Sequence, residues 1–365
     1  MSDVSDRTFD DVFSDFPSSP HASPTPPKRR RRRWLIVLGV FTAVIVLFVA
    51  GGLLVVRQVT SAWDKNIERM GDPFKGIPST ARPQTDPNAG DAVNILLLGS
   101  DSRVSAGDPT QWAVGAQRTD AIMIFHIAAD RKSAYVMSIP RDSWVPIPGH
   151  GNAKVNAAFS WGGPTLMVQT VEQLTGVRIN HLAIVDFDGF KQITDALGGV
   201  TITVPQTTHD MRGTIKAGTQ TMDGATALNY VRQRYNLPGG DFDRVKRQQN
   251  WIRAVVAKLM SQGTLTNPFT LNSAMTALTK SLEIDDAFTA NEMQDLALSG
   301  RDLRGKDIRF FTVPVAGTGW SPDHQQSIVN LDKTNDATLW DAIQKDKVGA
   351  WMDTHDAQSL GNTVR

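Results

Sequence analysis

The stretch "AVNILLLG", residues 92–99, is a nearly continuous apolar run that ends at Gly99. An apolar run of this length is typical of a β-strand that is buried on both faces. Other runs also predict strands: "AIMIFHI" (121–127), "SAYVMSI" (133–139), "HLAIVDF" (181–187), "VTITV" (200–204) and "IRFFTV" (308–313).

Helical segments lie between these strands. The sequence predicts helices in "GPTLMVQTVEQLTG" (163–176), in "DGFKQITDALGG" (188–199), where Asp188 is an N-cap candidate and the glycines end the helix, and in "DRVKRQQNWIRAVVAKLM" (243–260). Strands interleaved with helices favour an α/β fold of the α-β-α type, with a sheet covered by helices on both faces.

The N-terminal part has a different composition. Residues 1–27 are rich in Ser, Asp and Pro, which predicts a disordered segment, and Arg29–Arg33 complete a basic tail that ends at residue 33. Residues 34–56 contain no charge, and at about 1.5 Å per residue they span roughly 35 Å, enough to cross a bilayer as a helix.

This run predicts an uncleaved membrane anchor. A signal peptide is the alternative, but the run is longer than the usual apolar core and lacks a small-x-small cleavage site. The basic residues on its N-terminal side place the N-terminus in the cytoplasm and the residues after Val56 outside the cell membrane.

The remaining boundaries follow from composition. Residues 57–90 are rich in Pro, Gly and Asp and predict a linker. A folded extracytoplasmic domain is expected over 91–332, followed by a C-terminal tail over 333–365 whose last residues are frayed.

Composition and missing motifs exclude several classes of function. The 38 basic and 37 acidic residues nearly cancel, so the chain lacks the overall positive field of a nucleic-acid-binding protein. With no cysteine it has neither disulfides nor cysteine-ligated metals. It lacks the Walker, dinucleotide-binding, nucleophile-elbow and zinc-protease motifs. His126 and His181 lie inside predicted strands, where a structural role is favoured.

Two aspartates flank neighbouring predicted strands. Asp101 follows the first strand in "LLLGSDSR", and Asp120 precedes the next in "QRTDAIM". If those strands pair, both carboxylates lie at one edge of the sheet, where they suit a hard cation such as Mg²⁺. The alternative is that each aspartate caps a turn.

Arginines gather in "NYVRQRYNLPGGDFDRVKRQQ", residues 229–249. An extended backbone in "YVRQRY" would direct Arg232 and Arg234 to one face, and Arg141 follows another predicted strand. Three interpretations compete: a solvated charged helix, a nucleic-acid patch and a cradle for a small anion.

A helical projection of the segment that Asp241 or Asp243 would cap favours the anion cradle. It places Arg244 and Gln248 at the apolar arc, whereas Lys246, Arg247, Arg253 and Lys258 fall outside it. A buried charge requires a partner, and helix N-termini favour anions, so the inward Arg244 indicates a phosphate. Nucleic-acid binding would require outward basic residues with interleaved aromatics.

Several motifs together resemble the LytR-CpsA-Psr family of bacterial cell-envelope proteins. They are "NILLLGSDSR", "RTDAIMIFHI", "VMSIPRDSWVPIPGHGNAKVNAAFSWGG", "VEQLTGVRINHLAIVDFDGF", "DALGGV" and "MDGATALNYVRQR" with "GDFDRVKRQQ". The resemblance implies a single-pass extracytoplasmic phosphotransferase that moves a glycopolymer from a polyprenyl diphosphate carrier to a peptidoglycan hydroxyl. It also implies a central mixed β-sheet with an apolar groove for the lipid.

The same resemblance implies roles for individual residues. Asp101 and Asp120 match the metal-binding carboxylates for Mg²⁺, with Mn²⁺ as an alternative. The phosphate-binding arginines fall on Arg141, Arg232, Arg234 and Arg244, and Gln248 matches a further contact. Arg103 and Arg118 match basic motif positions, and Lys154 and Asn156 lie on a predicted loop at the edge of the site.

Two other functions fit the same residues. The domain could be a pyrophosphatase that hydrolyses the carrier without transfer, or a non-catalytic module that binds a lipid-linked glycan. An assay of products without acceptor separates the first from a transferase, and loss of Asp101 or Arg232 would favour the second; both residues are present.

Overall fold

The predicted apolar runs all form strands in a computed structural model, which describes residues 65, 67–100, 119–233, 237–261, 267–355, 358–361, 363 and 364. The strands are β1 (Glu68–Arg69), β2 (Val93–Ser100), β3 (Thr119–Ile127), β4 (Ala134–Ser138), β5 (Trp144–Ile147), β6 (Gly151–Lys154), β7 (His181–Val185), β8 (Val200–Val204), β9 (Thr208–Asp210), β10 (Gly213–Ile215), β11 (Gly218–Met222), β12 (Leu282–Ile284), β13 (Ile308–Thr312), β14 (Val315–Trp320), β15 (Ser327–Leu331) and β16 (Gln358–Ser359).

The three predicted helices are also present, with others between and after them. The helices are α1 (Ala157–Thr175), α2 (Phe187–Ala196), α3 (Gly224–Arg232), α4 (Asp241–Leu259), α5 (Pro268–Ser281), α6 (Ala290–Ser299), α7 (Lys333–Gln344) and α8 (Val348–Thr354), and short 3₁₀ turns cover Ser79–Ala81, Pro87–Ala89 and Gly305–Asp307. The N-cap of α2 is Asp186, two residues before the predicted cap Asp188, because the Asp186 side chain accepts a hydrogen bond from the Gly189 amide.

Eight of the described strands form one sheet in the order β1-β12-β7-β2-β3-β4-β13-β16. Strand β2 is antiparallel to β3 and parallel to β7, and β4 is parallel to β13. The sheet is therefore mixed, as the family resemblance implies. The described residues belong to one compact unit, Val59–Arg365.

Alternate side chains of the central strands are buried on opposite faces of the sheet. Leu96 and Leu98 belong to a core that includes residues of α1, α7 and α8. Leu97 instead joins Met123 and Phe125 on the other face, where Ile252 of α4 packs. Period-two alternation thus directs the side chains of these strands to two covered faces of the sheet, and the predicted α-β-α arrangement is confirmed.

The prediction that 57–90 is a linker is wrong for its described residues, 65 and 67–90. Ile67 and Ile77 are buried, and β1 pairs in parallel with β12 at the sheet edge. Arg69 ties this strand down, since its Nη1 donates to the carbonyl oxygens of Asp285 at 3.0 Å and Phe288 at 2.8 Å. The Pro and Gly content obscured a few isolated apolar residues that dock on the domain.

The prediction of a C-terminal tail over 333–365 is also wrong. Leu339 and Ile343 of α7 and Trp351 of α8 are buried in the main core, and β16 pairs with β13. Asp346 follows α7 and accepts from His126, whose Nε2 lies 2.9 Å from its Oδ1. Apolar residues at helical spacing explain the packing, and the structural role predicted for His126 is confirmed.

The first three residues of "YVRQRY", Tyr230 to Arg232, are helical where an extended backbone was expected. Helix α3 begins after Asp223, whose side chain accepts from the Thr226 amide, and ends at Arg232, so Gln233 is the one described residue of this segment that is extended. Arg234 lies outside the described residues. The β-branched and aromatic residues suggested a strand, but the Asp N-cap decides the local structure.

The predicted basic tail and membrane helix, residues 1–33 and 34–56, lie outside the described residues. Within the part of the chain that the structure describes, no helix combines the length and the apolar character needed to cross a bilayer.

Candidate active site

A cavity of about 500 Å³ lies between the sheet and helices α2, α3 and α4. We call it the apolar cavity, because carbon atoms form most of its wall. The sheet contributes Leu97, Met123 and Phe125, whose alternation along β2 and β3 directs them to this face. The helices and adjoining strands contribute the remaining apolar wall: Val185, Phe187, Phe190, Ile193, Leu228, Val231, Trp251, Ile252, Val255, Leu278 and Leu282.

Polar residues from four separate elements also line the apolar cavity. They are Asp120 in β3, Arg141 after β4, Arg232 at the end of α3, and Arg244 and Gln248 in α4. We call Arg141, Arg232 and Arg244 the arginine cluster. The structure thus brings together five of the residues that the sequence predicts for the site.

Arg141 lies among three carboxylates. Its Nη1 donates a hydrogen bond to Oδ1 of Asp120, and its Nη2 and Nε lie 3.8 Å from oxygens of Asp241 and Asp142. Burial alone would lower the pKa of the Arg141 guanidinium, but the neighbouring carboxylates, chiefly Asp241 and Asp120, outweigh it and raise that pKa. Arg141 is a fixed cation whose Nε has no hydrogen-bond partner among the described residues.

Arg244 lies in the first turn of α4 with a side chain that is only 6% exposed. Its Nη2 lies 2.8 Å from Oδ1 and 3.0 Å from Oδ2 of Asp241, and its Nε has no partner in the described part of the chain. Burial lowers the pKa of Arg244, Asp241 opposes this, and the positive charge of Arg141 lowers it further. The predicted inward orientation is confirmed.

Gln248 and Arg232 complete the polar wall. Gln248 lies one turn after Arg244, with its Nε2 at 3.5 Å from the carbonyl oxygen of Asp120 and its Oε1 unpaired among the described residues. The Arg232 guanidinium lies over the Phe187 ring, 4.3 Å from its centroid. This cation–π contact orients Arg232, whose guanidinium fork lies at the cavity wall.

Two residues of this site were missed by the sequence reasoning. Asp241 was considered only as a helix cap, although its carboxylate pairs with Arg244 and lies near Arg141. Its position three residues before an inward arginine was the available signal. Arg212, between β9 and β10, also lines the apolar cavity and pairs with Asp210 at 3.1 Å. No sequence pattern distinguished it from a surface arginine.

The helical projection was wrong for Arg247, which it placed outside the apolar arc. Arg247 is fully buried. Its Nη1 donates to Oε1 of Gln233 at 2.9 Å, its Nη2 to Oγ1 of Thr208 at 3.2 Å, and its guanidinium lies 4.6 Å from the Tyr230 ring centroid. Helix α3 and strand β9 cover this side of α4, which a single-helix projection cannot include. Arg253 lies outside the cavity, as predicted, and donates to the Gly361 carbonyl oxygen at 2.8 Å.

Lys154 and Asn156 lie in a neighbouring cavity of about 370 Å³, which we call the second cavity. Lys154 Nζ is 3.1 Å from Oδ1 of Asp142. Arg141 lines both cavities. The second cavity therefore adjoins the apolar cavity at Arg141, the arginine that lies among three carboxylates.

The predicted metal pair is only half described. Strands β2 and β3 are neighbours, and Ser100, which precedes Asp101, pairs with Thr119, which precedes Asp120. The strand arrangement required for the pair is therefore present, and Asp120 places a carboxylate at the cavity wall. Asp101, Arg103, Arg118 and Arg234 lie outside the described residues, and within the described ranges no three acidic or histidine side chains cluster as a metal site.

The fold and this site define an α/β domain that presents a cluster of arginines at the wall of an apolar cavity. A model of the LytR_cpsA_psr family matches residues 56–345. The chain therefore belongs to the LytR-CpsA-Psr family.

Named relatives agree with this family. The chain is 33% identical over 332 residues to the cell wall biosynthesis protein LcpA of Corynebacterium glutamicum, covering 80% of this chain and 62% of LcpA, so it spans less than two thirds of that relative. It is 29% identical over 268 residues to the polyisoprenyl-teichoic acid–peptidoglycan teichoic acid transferase TagU of Enterococcus faecalis, covering 73% of this chain and 84% of TagU. The crystal structure of Bacillus subtilis TagV is similar, with a TM-score of 0.56 and 25% identity over 70% of this chain and 97% of TagV.

Proposed function

We propose that this chain is a phosphotransferase that moves a cell-wall glycopolymer from a polyprenyl diphosphate carrier to a peptidoglycan hydroxyl, forming a phosphodiester. The observation that carries the proposal is the pair of arginines Arg141 and Arg244 at the wall of an apolar cavity. Each keeps a buried Nε without a partner among the described residues. The name of the relative TagU, a transferase between a polyisoprenyl-linked polymer and peptidoglycan, points in the same direction.

The apolar cavity combines an apolar wall with the arginine cluster, and this combination suits an amphipathic donor. Its apolar wall suits the polyprenyl chain, and a volume of about 500 Å³ lies within the usual range of small-molecule sites. A diphosphate carries several negative charges, which the arginine cluster can neutralise. Planar guanidinium forks suit paired phosphate oxygens, so arginine fits this role better than lysine.

In the proposed reaction the acceptor hydroxyl oxygen attacks the phosphorus that carries the glycan. A new oxygen–phosphorus bond forms, the acceptor loses its proton, and the bond between that phosphorus and the bridging oxygen breaks. Polyprenyl phosphate leaves with the additional negative charge on its oxygen. Fixed arginines stabilise this developing charge more than the ground state, which is how positioned cations lower a phosphoryl-transfer barrier.

We also propose that Asp101 and Asp120 hold Mg²⁺, with Mn²⁺ as the alternative ion. A divalent cation there would neutralise further charge on the diphosphate oxygens. Arg141 donates to Asp120 and so fixes the orientation of this carboxylate at the cavity wall.

The uncharged run 34–56 is proposed as a single membrane anchor, with the N-terminus in the cytoplasm. The chain has no cysteine, so introduced cysteines can be labelled one at a time. A cysteine at Pro83 should react with a membrane-impermeant maleimide on intact cells, and one at Ser14 should not. The reverse pattern would refute the orientation and the extracytoplasmic reaction together.

The transfer itself is tested with the full-length chain, a polyprenyl diphosphate-linked glycan and soluble peptidoglycan strands. Mass spectrometry should detect the glycan joined to the strand by a phosphodiester, together with polyprenyl phosphate. Without acceptor, little donor should be consumed. Equal donor cleavage with and without acceptor would support the pyrophosphatase alternative, and donor binding without either product would support a binding module.

A further inference from the structure

The second cavity differs in chemistry from the apolar cavity. Its wall includes the amide side chains of Asn156 and Gln326, the ion pair of Lys154 and Asp142, and one large aromatic residue, Trp161. Amides both donate and accept hydrogen bonds, and an indole ring offers a flat apolar face. A wall of this kind suits a ligand that has hydroxyl groups around its edge and apolar carbon–hydrogen faces.

Trp161 is held in place although it is partly exposed. Its side chain is among the few large apolar groups at the surface, at 38% exposure. The His150 ring packs against it, with centroids 5.0 Å apart and an interplanar angle of 33°. A restrained aromatic ring that remains accessible is a stacking surface that costs little conformational entropy when a ligand binds.

A break in helix α1 presents this ring. Directly after Trp161, Gly162 and Gly163 have non-helical backbone angles, and Gly163 has φ 63° and ψ −155°. This conformation is accessible almost only to glycine. The first turn of α1 is therefore separated from the rest of the helix, so Trp161 and Asn156 lie together beside Arg141 in the wall of the second cavity.

The position of the second cavity determines what reaches it. Arg141 lines both cavities, so a diphosphate at Arg141 would have its lipid in the apolar cavity and its other substituent at the second cavity. This step rests on the proposed function. In the transfer reaction two sugar-bearing groups meet at that phosphorus: the first sugar of the donor and the acceptor strand.

We propose that the second cavity is a subsite for a sugar ring next to the reacting phosphate, with Trp161 as its stacking surface and Asn156 and Gln326 as hydrogen-bonding partners. At about 370 Å³ the cavity has the size of a small-ligand site. Donor and acceptor sugars share the chemistry that this wall recognises, and binding measurements with separate probes distinguish them.

Calorimetric titration of the full-length chain tests the subsite with three probes. The first is farnesyl diphosphate, the second is farnesyl diphosphate carrying N-acetylglucosamine, and the third is a soluble peptidoglycan disaccharide, titrated alone and with farnesyl diphosphate present. If the donor sugar occupies the subsite, the second probe should bind about tenfold more tightly than the first, as expected for one aromatic contact. If the acceptor occupies it, the disaccharide should bind instead.

In either case Trp161→Ala should remove the sugar-dependent affinity while the affinity for farnesyl diphosphate stays unchanged, and Trp161→Phe should restore part of it. The matched control is Trp320→Ala, which changes a tryptophan that is 62% exposed and lies outside the second cavity. Sugar binding that is absent, unaffected by Trp161→Ala, or equally reduced by Trp320→Ala would overturn the subsite. If the wild-type chain binds the disaccharide through Trp161 but does not bind farnesyl diphosphate, the subsite stands and the proposed function fails.

Discussion

Helix α4 carries two buried arginines, three residues apart, in different surroundings. Arg244 lies at the apolar cavity, where Asp241 pairs with one end of its guanidinium and its Nε is left without a partner among the described residues. Arg247 lies in what we call the internal network, where Gln233, Thr208 and Tyr230 surround it. Burial alone therefore does not distinguish the two arginines, whereas a place at a cavity wall and a donor without a described partner do.

The difference follows from the cost of burying a charge. A buried guanidinium needs hydrogen-bond acceptors, and the fold supplies Arg247 with them from α3 and β9. The fold supplies Arg244 with one carboxylate, that of Asp241, and leaves its Nε without an acceptor among the described residues. Arg247 should accordingly contribute to the stability of the fold, and Arg244 to the binding of an anion.

The largest expected effect is the loss of stability in Arg247→Ala. The substitution removes several buried hydrogen bonds and leaves an empty volume, so the free energy of unfolding should fall by about 3–5 kcal/mol. Urea denaturation measures this loss, and the folded fraction should retain transfer near the wild-type rate. Arg253→Ala, at a half-exposed position of the same helix, should cost less than about 1 kcal/mol. Equal losses at both positions would contradict the role of the internal network.

The next effect should appear in Arg244→Lys, in activity rather than stability. Lysine keeps the charge but lacks the planar fork, so the rate of glycopolymer transfer should fall by a factor of about 100–1000. The free energy of unfolding should change by less than about 1 kcal/mol, because no satisfied network is broken. The matched control is Arg253→Lys, which lies outside the apolar cavity. If Arg244→Lys unfolds the chain and leaves the specific activity intact, the two regions have been assigned in reverse.

The same contrast shows how far the sequence could predict the structure. The strands could be predicted from continuous apolar runs, because a strand that is buried on both faces has an apolar sequence whichever elements pack against it. Arg244 and Gln248 were placed correctly because the apolar arc of their own helix determines their direction. Arg247 was misplaced because its burial depends on α3 and β9, which pack from elsewhere in the chain.

Two boundary errors have a related cause. The segment around Ile67 and the helices that carry Leu339 and Trp351 have few apolar residues among polar ones, and only the docking partner makes those residues part of the core. Arg212 and Asp241 were missed for the same reason, because their contacts cross between elements. Local pattern predicted elements and inward faces, while contacts between elements required the assembled fold.

A third prediction extends the comparison to the carboxylate beside the arginine cluster. If Asp101 and Asp120 hold a metal with the diphosphate, Mg²⁺ and a polyprenyl diphosphate added together should stabilise the full-length chain. At about 100 times the dissociation constant the gain is roughly 2.7 kcal/mol, a shift of a few degrees in the melting temperature. Asp120→Asn and Asp101→Asn should lose the Mg²⁺-dependent part of this shift, while Asp130→Asn, an exposed aspartate on a turn after β3, should keep it.

The melting temperatures without ligand serve as the internal control for that experiment. Each Asn variant nearly preserves the shape of the side chain, so the ligand-free chain should melt close to the wild type. Full Mg²⁺-dependent stabilisation in both Asp101→Asn and Asp120→Asn would place any metal elsewhere and return both aspartates to the role of turn caps.

The last prediction tests whether an unpaired buried atom away from a cavity has another explanation. Asp336 in α7 is 4% exposed, and its Oδ1 has no hydrogen-bond partner in the described part of the chain. Burial, assisted by the negative charge of Asp332, raises the pKa of Asp336 to about 7 from its ordinary value of 3.8. The folded chain therefore holds a proton that the unfolded chain has released between these two pH values. In that window the contribution of Asp336 to the free energy of unfolding should fall by up to about 1.4 kcal/mol per pH unit as pH rises, and it should level off above the folded pKa.

Asp336→Asn, which cannot ionise, should lack this fall, so the variant should become more stable relative to the wild type with rising pH. Asp341→Asn, at an exposed position of the same helix, controls for the change of charge. Denaturation of the three chains from pH 4 to pH 8 measures the difference. A constant difference between Asp336→Asn and the wild type over this range would mean that Asp336 has a stabilising partner. The unpaired Oδ1 of Asp336 would then indicate a bound ligand, as we propose for the unpaired Nε of Arg244.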